Sequence, residues 1–203
     1  MSKKSKNMIS FSPDTTVEQV TEALEAGLDI HTRNGREETL LMVALQHNVT
    51  CEILDMLMQL DPDFSAKDEE DRTLLMIAAQ YNEHPQIISL LLERGAIVEE
   101  KDGWGATAFM YAAAFNTQKE VLSILLQNGA AINDKDDADR TPLIYASESS
   151  MQPEIVRLLL QMGADCSLQD CEGKTAYMYA MINPALQDNA DLLVSLQRTE
   201  TGI

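Results

Sequence analysis

The residues able to ligate a metal or act as nucleophiles are few and scattered. The histidines are His31, His47 and His84, and no two of them have the spacing of zinc ligands on one helix. Cys166 and Cys171 lie five residues apart, without a CxxC spacing or a neighbouring histidine. The sequence contains no GxSxG motif, no P-loop and no glycine-rich dinucleotide fingerprint. It therefore predicts no catalytic site, no cofactor and no metal site.

One acidic segment has the composition of a calcium-binding loop. It runs from Asp134 to Asp139 with the sequence DKDDAD. An EF-hand loop has Gly at its sixth position and Glu at its twelfth, whereas Asp139 and Tyr145 stand at these places here. We therefore interpret the segment as a solvated turn. Its carboxylates are also suited to attract a basic partner.

The composition argues against several classes of partner and location. The 203 residues include 33 acidic and 15 basic side chains, for a net charge of −18. Nucleic acids and anionic membrane surfaces both require basic residues, so neither is an expected partner. No apolar run approaches the ~18 residues of a membrane span, and the first residues lack the apolar stretch of a signal peptide. Three cysteines make no disulfide framework. We expect a cytoplasmic protein, with export by a non-classical route left open.

Two markers recur with a period of 34 residues. One is a threonine that opens an apolar tetrad such as TLLM or TPLI. It occurs at Thr39, Thr73, Thr107, Thr141 and Thr175. The other marker is a short turn sequence, which begins at Gly27, Asp61, Gly95, Gly129 and Gly163. Because both markers keep one period over five copies, the chain is predicted to be an array of repeated units.

Each unit has the signals of two short helices. Thr107 is a suitable N-cap for the first helix, and Pro142 fits the N1 position of the equivalent helix one unit later. The second helix carries apolar residues at i, i+3 and i+4 spacing, as in segment 121–126. Gly129 follows this segment and is predicted to end the helix in the left-handed conformation. The acidic stretch beyond it has the residues of a turn between units.

The motif of these units resembles that of ankyrin repeats. The resemblance rests on TPL at 141–143, IVRLL at 155–159 and GAD at 163–165, and it covers about residues 31 to 197. It implies an all-α solenoid of about five helix-turn-helix repeats with hairpin-like turns between them, plus an N-terminal capping helix. We expect that helix to occupy about 13–26, with Ser12 as its N-cap and Pro13 at N1.

The resemblance also implies the boundaries of the segments. They are a flexible basic tail at 1–11, an N-terminal capping helix or partial repeat at 12–30, repeats at 31–64, 65–98, 99–132 and 133–166, a C-terminal capping repeat at 167–198, and a tail at 199–203. Lys3, Lys4 and Lys6 give the first tail its basic character. Unanchored termini of this kind are expected to be mobile.

The chain departs from the family motif at two columns of the repeat. The family has a histidine three residues after the threonine; here the residues are Met42, Met76, Met110, Ile144 and Met178. We predict that these side chains pack in the core in place of Thr–His hydrogen bonds. The turn glycine of the family is replaced by Glu37, Asp71 and Asp139. Because Glu tolerates a left-handed backbone poorly, the first hairpin is the one least suited to this turn.

The resemblance implies a partner-binding face made of the hairpin tips and the exposed side of each first helix. At these positions the chain has Tyr81, Trp104 and Phe115 in neighbouring repeats, flanked by Arg72 and Arg140. Aromatic residues and arginine are enriched at interface hot spots, so these five are the predicted binding residues. Two alternatives stay open. Trp104 folds back over its own hairpin while Phe115 packs beneath the inter-helix loop, or the two arginines neutralise turn carboxylates.

These features predict a non-catalytic protein–protein interaction module that binds its partner on the concave face formed by hairpins and inner helices. The predicted partner is a protein of basic or mixed charge, and the chain itself is expected to be monomeric. One alternative is an acidic inhibitor or immunity-type regulator that blocks a basic site on an enzyme. Another is an enzyme with an unrecognised constellation, which the commitment of nearly all residues to repeats disfavours.

Overall fold

The computed structural model describes residues 9–197, and the elements in this range are eleven α-helices and no strands, as the all-α prediction requires. The helices are α1 (Val17–Glu25), α2 (Leu40–Gln46), α3 (Cys51–Gln59), α4 (Leu74–Tyr81), α5 (Pro85–Glu93), α6 (Ala108–Phe115), α7 (Lys119–Gln127), α8 (Pro142–Ser149), α9 (Pro153–Gln161), α10 (Ala176–Ile182) and α11 (Ala190–Gln197). One pair of helices lies in each predicted repeat. Residues 1–8 and the predicted tail 199–203 lie outside the described range.

The periodic threonines begin the first helix of each repeat. In α2, α4, α6 and α8 the threonine Oγ1 accepts a hydrogen bond from the backbone N–H three residues later, at 3.3–3.4 Å. Such an N-cap stabilises a helix by about 1 kcal/mol. Pro85, Pro142 and Pro153 are the first residues of α5, α8 and α9, where a missing N–H costs nothing. The exception is Thr175 before α10, which makes no side-chain cap.

The helices stack into two layers around one continuous core. The first helices α2, α4, α6, α8 and α10 pack in chain order, and each second helix packs on the first helix of its own repeat. Ala78, Ala79, Ala112 and Ala113 are fully buried between first helices, where small side chains allow close approach. Each repeat therefore buries its apolar side mainly against its neighbours, as in other solenoids.

The methionine column is buried, as predicted, in every repeat but the last. Met42, Met76 and Ile144 lie in the main core, and Met110 lies in a smaller cluster with Ala114 and Tyr145. The Sδ atoms of Met42 and Met76 also accept weak hydrogen bonds from the N–H of the capping threonines, at 3.5 and 3.4 Å. Met178 is 45% exposed, and Met181 beside it is 49% exposed. In the described residues no further repeat follows to cover this end of the stack.

The second helices end as their glycines predict. Gly95, Gly129 and Gly163 have φ of 92°, 99° and 95°, so the chain leaves each helix through a left-handed residue. The following N–H then bonds back into the helix, as from Ala130 N to Leu125 O at 3.0 Å. Asp61 takes the same role after α3 with a φ of 56°. Asp tolerates this conformation better than most residues that carry a Cβ.

Left-handed residues also shape the hairpins between repeats. Glu37, Asp71 and Asp139 have φ near 60°, and Gly105 and Gly173 have φ near 78°. The first hairpin closes like the others despite its glutamate, with Asn34 N bonded to Glu38 O at 3.0 Å. The fold thus imposes the turn on a residue that does not favour it.

Asparagine side chains tie the inter-helix loops of neighbouring repeats together. Asn116 Nδ2 donates to Ala79 O at 2.8 Å and to Asn82 O at 3.1 Å in the preceding repeat. Asn183 makes the equivalent bonds from the fifth repeat to the fourth. The Nδ2 atom of Asn82 is buried without a partner. Repeat one differs there, because its equivalent residue Asn48 has a φ of 48°, whereas Asn82 has an extended backbone with a φ of −89°.

The start of the N-terminal cap differs from the prediction. Helix α1 begins at Val17, and its N-cap is Thr16 rather than Ser12. Thr16 and Gln19 form a reciprocal capping box that satisfies two backbone N–H groups, which explains the later start. Ser12 and Pro13 instead belong to a turn closed by Thr15 N to Ser12 O. Phe11, which the prediction placed in the tail, is only 3% exposed because its ring joins the core.

Candidate protein-binding surface

One acidic or amide side chain organises each hairpin. These side chains recur every 34 residues and lie five residues before the capping threonine. They are Asn34, Asp68, Asp102, Asp136 and Asp170. In each aspartate, Oδ1 accepts hydrogen bonds from the backbone N–H groups two and four residues later, at 2.8–3.0 Å. The column was not predicted from the sequence, although its period marks it as clearly as that of the threonines.

In three of these aspartates, Asp102, Asp136 and Asp170, the second carboxylate oxygen accepts a hydrogen bond from a tyrosine of the inner helix. The hydroxyls of Tyr111, Tyr145 and Tyr179 donate to it at 2.7, 2.8 and 2.6 Å. These tyrosines recur every 34 residues, four residues after the periodic threonine. Burial and the bond to Asp102 raise the pKa of Tyr111 above its ordinary value, and burial and Asp136 do the same for Tyr145. For Tyr179 the bond to Asp170 is the main cause.

The hairpins are joined to one another by single backbone hydrogen bonds. Glu69 N donates to Arg36 O, Gly103 N to Glu70 O, Asp137 N to Trp104 O and Cys171 N to Ala138 O, all at 2.9–3.0 Å. Gly105 permits this close approach, because a Cβ at that position would lie 2.8 Å from the backbone nitrogen of Asp137. The result is a continuous row of stacked turns along one edge of the molecule.

Arg72 and Arg140 are held by carboxylates of their own repeats, as the alternative interpretation anticipated. Arg72 pairs with Asp68 at 2.8 Å and Glu70 at 3.1 Å. Burial alone would lower the pKa of the Arg72 guanidinium, but its interactions with these two carboxylates outweigh burial and raise it. Arg140 pairs with Asp136 at 2.8 Å, and its guanidinium lies 4.6 Å from the ring centroid of Tyr145.

The three predicted aromatic residues are all exposed. Tyr81 is 41%, Trp104 51% and Phe115 48% accessible, so neither Trp104 nor Phe115 is covered by its own loop. They do not form a single cluster. Tyr81 and Phe115 line one cleft at the C-terminal ends of α4 and α6, whereas Trp104 occupies the hairpin tip before α6. The eight residues of α6, about 12 Å of helix, separate Trp104 from Phe115.

Tyr111 lies between these two sites along α6. Its ring centroid is 6.5 Å from that of Phe115, and its hydroxyl bonds to Asp102, which also accepts the N–H of Trp104. The aromatic surface is thus a row along α6, with Tyr81 beside its far end. We call Tyr81, Trp104, Tyr111 and Phe115 the aromatic row.

The acidic segment 134–139 is engaged in ion pairs and hydrogen bonds. Asp134 pairs with Lys101, Asp139 with Lys135, and Asp136 with Arg140. In residues 9–197 no group of three or more His, Cys, Asp or Glu side chains is arranged to hold a metal ion. Cys166 is buried and Cys171 is exposed at a hairpin.

The sequence matches a family model described as ankyrin repeats (3 copies). The match falls in four overlapping windows at 12–102, 41–136, 75–170 and 109–201, which together span nearly the whole chain. The chain is an ankyrin-repeat protein. No curated protein matches it. Ankyrin repeats are generally protein–protein interaction modules, and proteins built from them are typically non-catalytic scaffolds.

The helices of this ankyrin-repeat protein are short. None of the helices in the described part of the chain is long and apolar enough to cross a lipid bilayer. The longest helices have nine residues, whereas a span needs about 20.

Proposed function

We propose that this ankyrin-repeat protein binds a protein partner on the concave face formed by its hairpins and inner helices, with the aromatic row at the centre. The observation that carries the proposal is the exposure of Tyr81, Trp104 and Phe115 in two neighbouring repeats. Large exposed aromatic side chains of this kind supply contact area at little cost in rotamer entropy. Arg72 and Arg140, although paired, flank the row and remain partly accessible.

The rigidity of the face supports this proposal. Each aspartate of the column fixes its hairpin through two backbone N–H groups, and a tyrosine such as Tyr111 on the other oxygen ties the hairpin to the inner helix. In the second repeat Arg72 makes this link, with bonds to Asp68 and to Gln80 of α4. A surface ordered before binding loses little conformational entropy in the complex. Extended concave surfaces are the usual binding sites of solenoid proteins.

Charge supports a basic or mixed-charge partner. The chain has a net charge of −18, and the carboxylates at the hairpins include the exposed Glu69, Asp137 and Glu172. Arg72 and Arg140 of the same face are already paired with carboxylates of the protein. The field that a partner meets there is therefore negative.

Substitution of Trp104 tests the proposal. A Trp104→Ala variant should lose partner capture, because its indole is half exposed at a hairpin tip. Its melting temperature should change little, since the indole makes no ring contact or side-chain hydrogen bond among those found in residues 9–197. Partner capture by wild type and variant from the native cell extract, read by mass spectrometry, measures the difference.

Ile97→Ala is the matched control. Ile97 is 61% exposed but follows α5 in the second-helix layer, away from the concave face. It should retain partner capture. The triple variant of Tyr81, Trp104 and Phe115 should abolish it. Equal capture by the triple variant and the wild type, with both folded, would reject the proposed face.

A second candidate is an acidic regulator that blocks a basic site on an enzyme. The exposed carboxylates of the stacked hairpins favour it. Such a complex forms by long-range attraction, so its association rate should fall steeply with added salt. Docking through the aromatic row alone should show a weak salt dependence. Association rates at low and high ionic strength therefore separate the two modes once a partner is in hand.

A further inference from the structure

A small cleft lies between the second and third repeats where their inner helices end. Its walls include Tyr81, the last residue of α4, and Phe115, the last residue of α6, with Glu83 at the rim. The cleft encloses about 50 Å³, far below the several hundred Å³ typical of small-molecule sites. It has room for the head group of one side chain and not for a metabolite.

The walls of the cleft are held in place by hydrogen bonds. Asn116 is buried at its base and donates from Nδ2 to Ala79 O and Asn82 O, at 2.8 and 3.1 Å. Its Oδ1 accepts the backbone N–H of Gln118 at 2.8 Å. Because these bonds cross from the third repeat to the second, the two backbone positions that carry the rings have a fixed separation. The cleft is therefore present before any ligand arrives.

Three features of the cleft favour a positive charge. The faces of Tyr81 and Phe115 are negative regions of the ring quadrupole, which attract a cation. Both inner helices end here, so the partial negative charges of two helix C-termini converge on it. Neither helix has a basic residue in its last turn, and Arg72, which donates to Gln80 in the cleft wall at 3.4 Å, is itself paired with Asp68 and Glu70. Glu83 adds an exposed carboxylate.

We propose that this cleft binds the guanidinium group of an arginine side chain on the protein partner. The inference rests on the proposed function and adds to it the chemistry of one anchor. A planar guanidinium stacks on aromatic faces and is more weakly hydrated than a lysine ammonium, so it suits a shallow site with two rings better. The hairpin carboxylates of the same face then contact the basic residues around this anchor.

The test uses the full chain and N-acetyl-arginine amide as the probe. Titration followed by amide NMR should give saturable shifts at Tyr81, Glu83 and Thr117, which lie at the cleft. The citrulline analogue has nearly the same shape without the charge, and it should give none. Equal shifts with both compounds, or no saturable shift with the arginine compound, would overturn the proposal.

Two variants locate the binding. Phe115→Leu keeps an apolar side chain but removes one ring, and it should weaken binding about three- to fivefold, the effect of one exposed cation–π contact. Glu83→Gln removes an exposed charge without touching the core, and it should also weaken binding. Glu99→Gln is the matched control for Glu83→Gln, because it removes an exposed charge outside the cleft, and it should bind the probe as tightly as the wild type. Equal weakening by Glu99→Gln and Glu83→Gln would show binding to the acidic surface in general and overturn the cleft.

The failure of this inference is distinguishable from that of the proposed function. If the arginine compound does not bind but partner capture still depends on Trp104, the cleft is rejected and the binding face stands. If the compound binds at the cleft but capture does not depend on the aromatic row, the binding face is rejected, and the cleft is a guanidinium site that the captured partner does not use.

Discussion

A single buried carboxylate fixes the shape of each of the last three hairpins. Asp102 accepts two backbone N–H groups with one oxygen and the Tyr111 hydroxyl with the other. It is buried, so without it these donors would lose partners where water has little access. The same arrangement recurs at Asp136 and Asp170. One side chain thus couples turn, helix and binding surface.

Removal of the Asp102 carboxylate should lower the stability of the protein. We expect Asp102→Ala to lower the free energy of unfolding by about 2–4 kcal/mol, because three hydrogen bonds to a charged group are lost. Urea unfolding followed by circular dichroism measures the change. Asp137→Ala alters an exposed acid in the next hairpin and should change stability by no more than about 0.5 kcal/mol. Similar losses in both variants would contradict the role given to Asp102.

The buried tyrosines should make the protein sensitive to alkali. Folding raises the pKa of Tyr111 and Tyr145 above the ordinary value of 10, chiefly through burial and then through the bonded aspartates. The unfolded chain therefore loses these protons at lower pH than the folded one. Stability from these groups is complete below about pH 10 and declines as the pH rises above it.

Tyrosinate absorbance and helix content, recorded together during an alkaline titration, check this expectation. The tyrosinate signal from these side chains should appear only as the helices melt. Tyr145→Phe removes one titrating group and should make the decline with pH less steep. Full tyrosinate absorbance with the helices intact would contradict the expected coupling.

Among the structural elements, the hairpins show how the fold overrides local preference. Glu37 has a φ of 58°, a conformation that costs a residue with a Cβ about 1–2 kcal/mol. The turn persists because its hydrogen bonds and the stacking of the next hairpin require it. Gly105 takes the same turn at a φ of 78°, in closer contact with the following hairpin.

Opposite substitutions at these two turns should have opposite effects. Glu37→Gly removes the free energy cost of holding a residue with a Cβ at positive φ. Because glycine has a greater entropy in the unfolded chain, the net gain in the free energy of unfolding should be about 0.5–1 kcal/mol. Gly105→Ala should lower it by more than 1 kcal/mol, since its Cβ would lie within 2.8 Å of Asp137 N. Thermal unfolding of both variants measures the changes. A stabilised Gly105→Ala would show that the hairpins separate easily.

The helices were predictable because their signals are local and repeated. The threonine caps, the prolines at N1 and the glycines after the second helices all lie where the 34-residue pattern placed them. The predicted start of α1 was wrong. Ser12 and Thr16 are both possible N-caps, but only Thr16 is followed three residues later by a residue, Gln19, that completes a capping box. Phe11 was predicted to lie in the tail, because it precedes the repeats and the 34-residue pattern says nothing about its burial.

The candidate surface was predictable only in part. The position of the aromatic residues in the repeat indicated their exposure, which the structure shows. It did not indicate that Tyr81 and Phe115 share a cleft while Trp104 lies a helix length away. The sequence did offer the alternative that Arg72 and Arg140 neutralise turn carboxylates, but it did not identify which carboxylates they contact. Those relations depend on side-chain directions, which spacing does not determine.

Across the whole array, stability is expected to vary from junction to junction. The second and third repeats are joined by Asn116, whose Nδ2 has two carbonyl partners. The equivalent donor on Asn82, facing the first repeat, has none. Because a solenoid is stabilised by contacts between neighbours, the loss of one such link weakens a single junction.

Alanine substitution at both asparagines compares the two junctions. Asn116→Ala should lower the free energy of unfolding by about 1 kcal/mol more than Asn82→Ala, since only the former loses inter-repeat hydrogen bonds. Each asparagine Oδ1 also accepts a hydrogen bond from the backbone N–H two residues later. Both variants lose this bond, so its contribution cancels in the comparison. Urea midpoints give the difference. Equal effects would show that Asn82 Nδ2 is satisfied in solution.

The single amide-to-carbonyl link between successive hairpins has a mechanical consequence. On the opposite side of each junction, interlocked apolar side chains resist sliding, whereas the hairpin edge is spanned by one backbone bond and by side-chain contacts such as that of Lys101 Nζ with Lys135 O. Each hairpin is rigid in itself, so any change in curvature should come from small changes of angle between neighbouring repeats along that edge, while the layers stay in register. A bound protein would then set the arc that the array adopts.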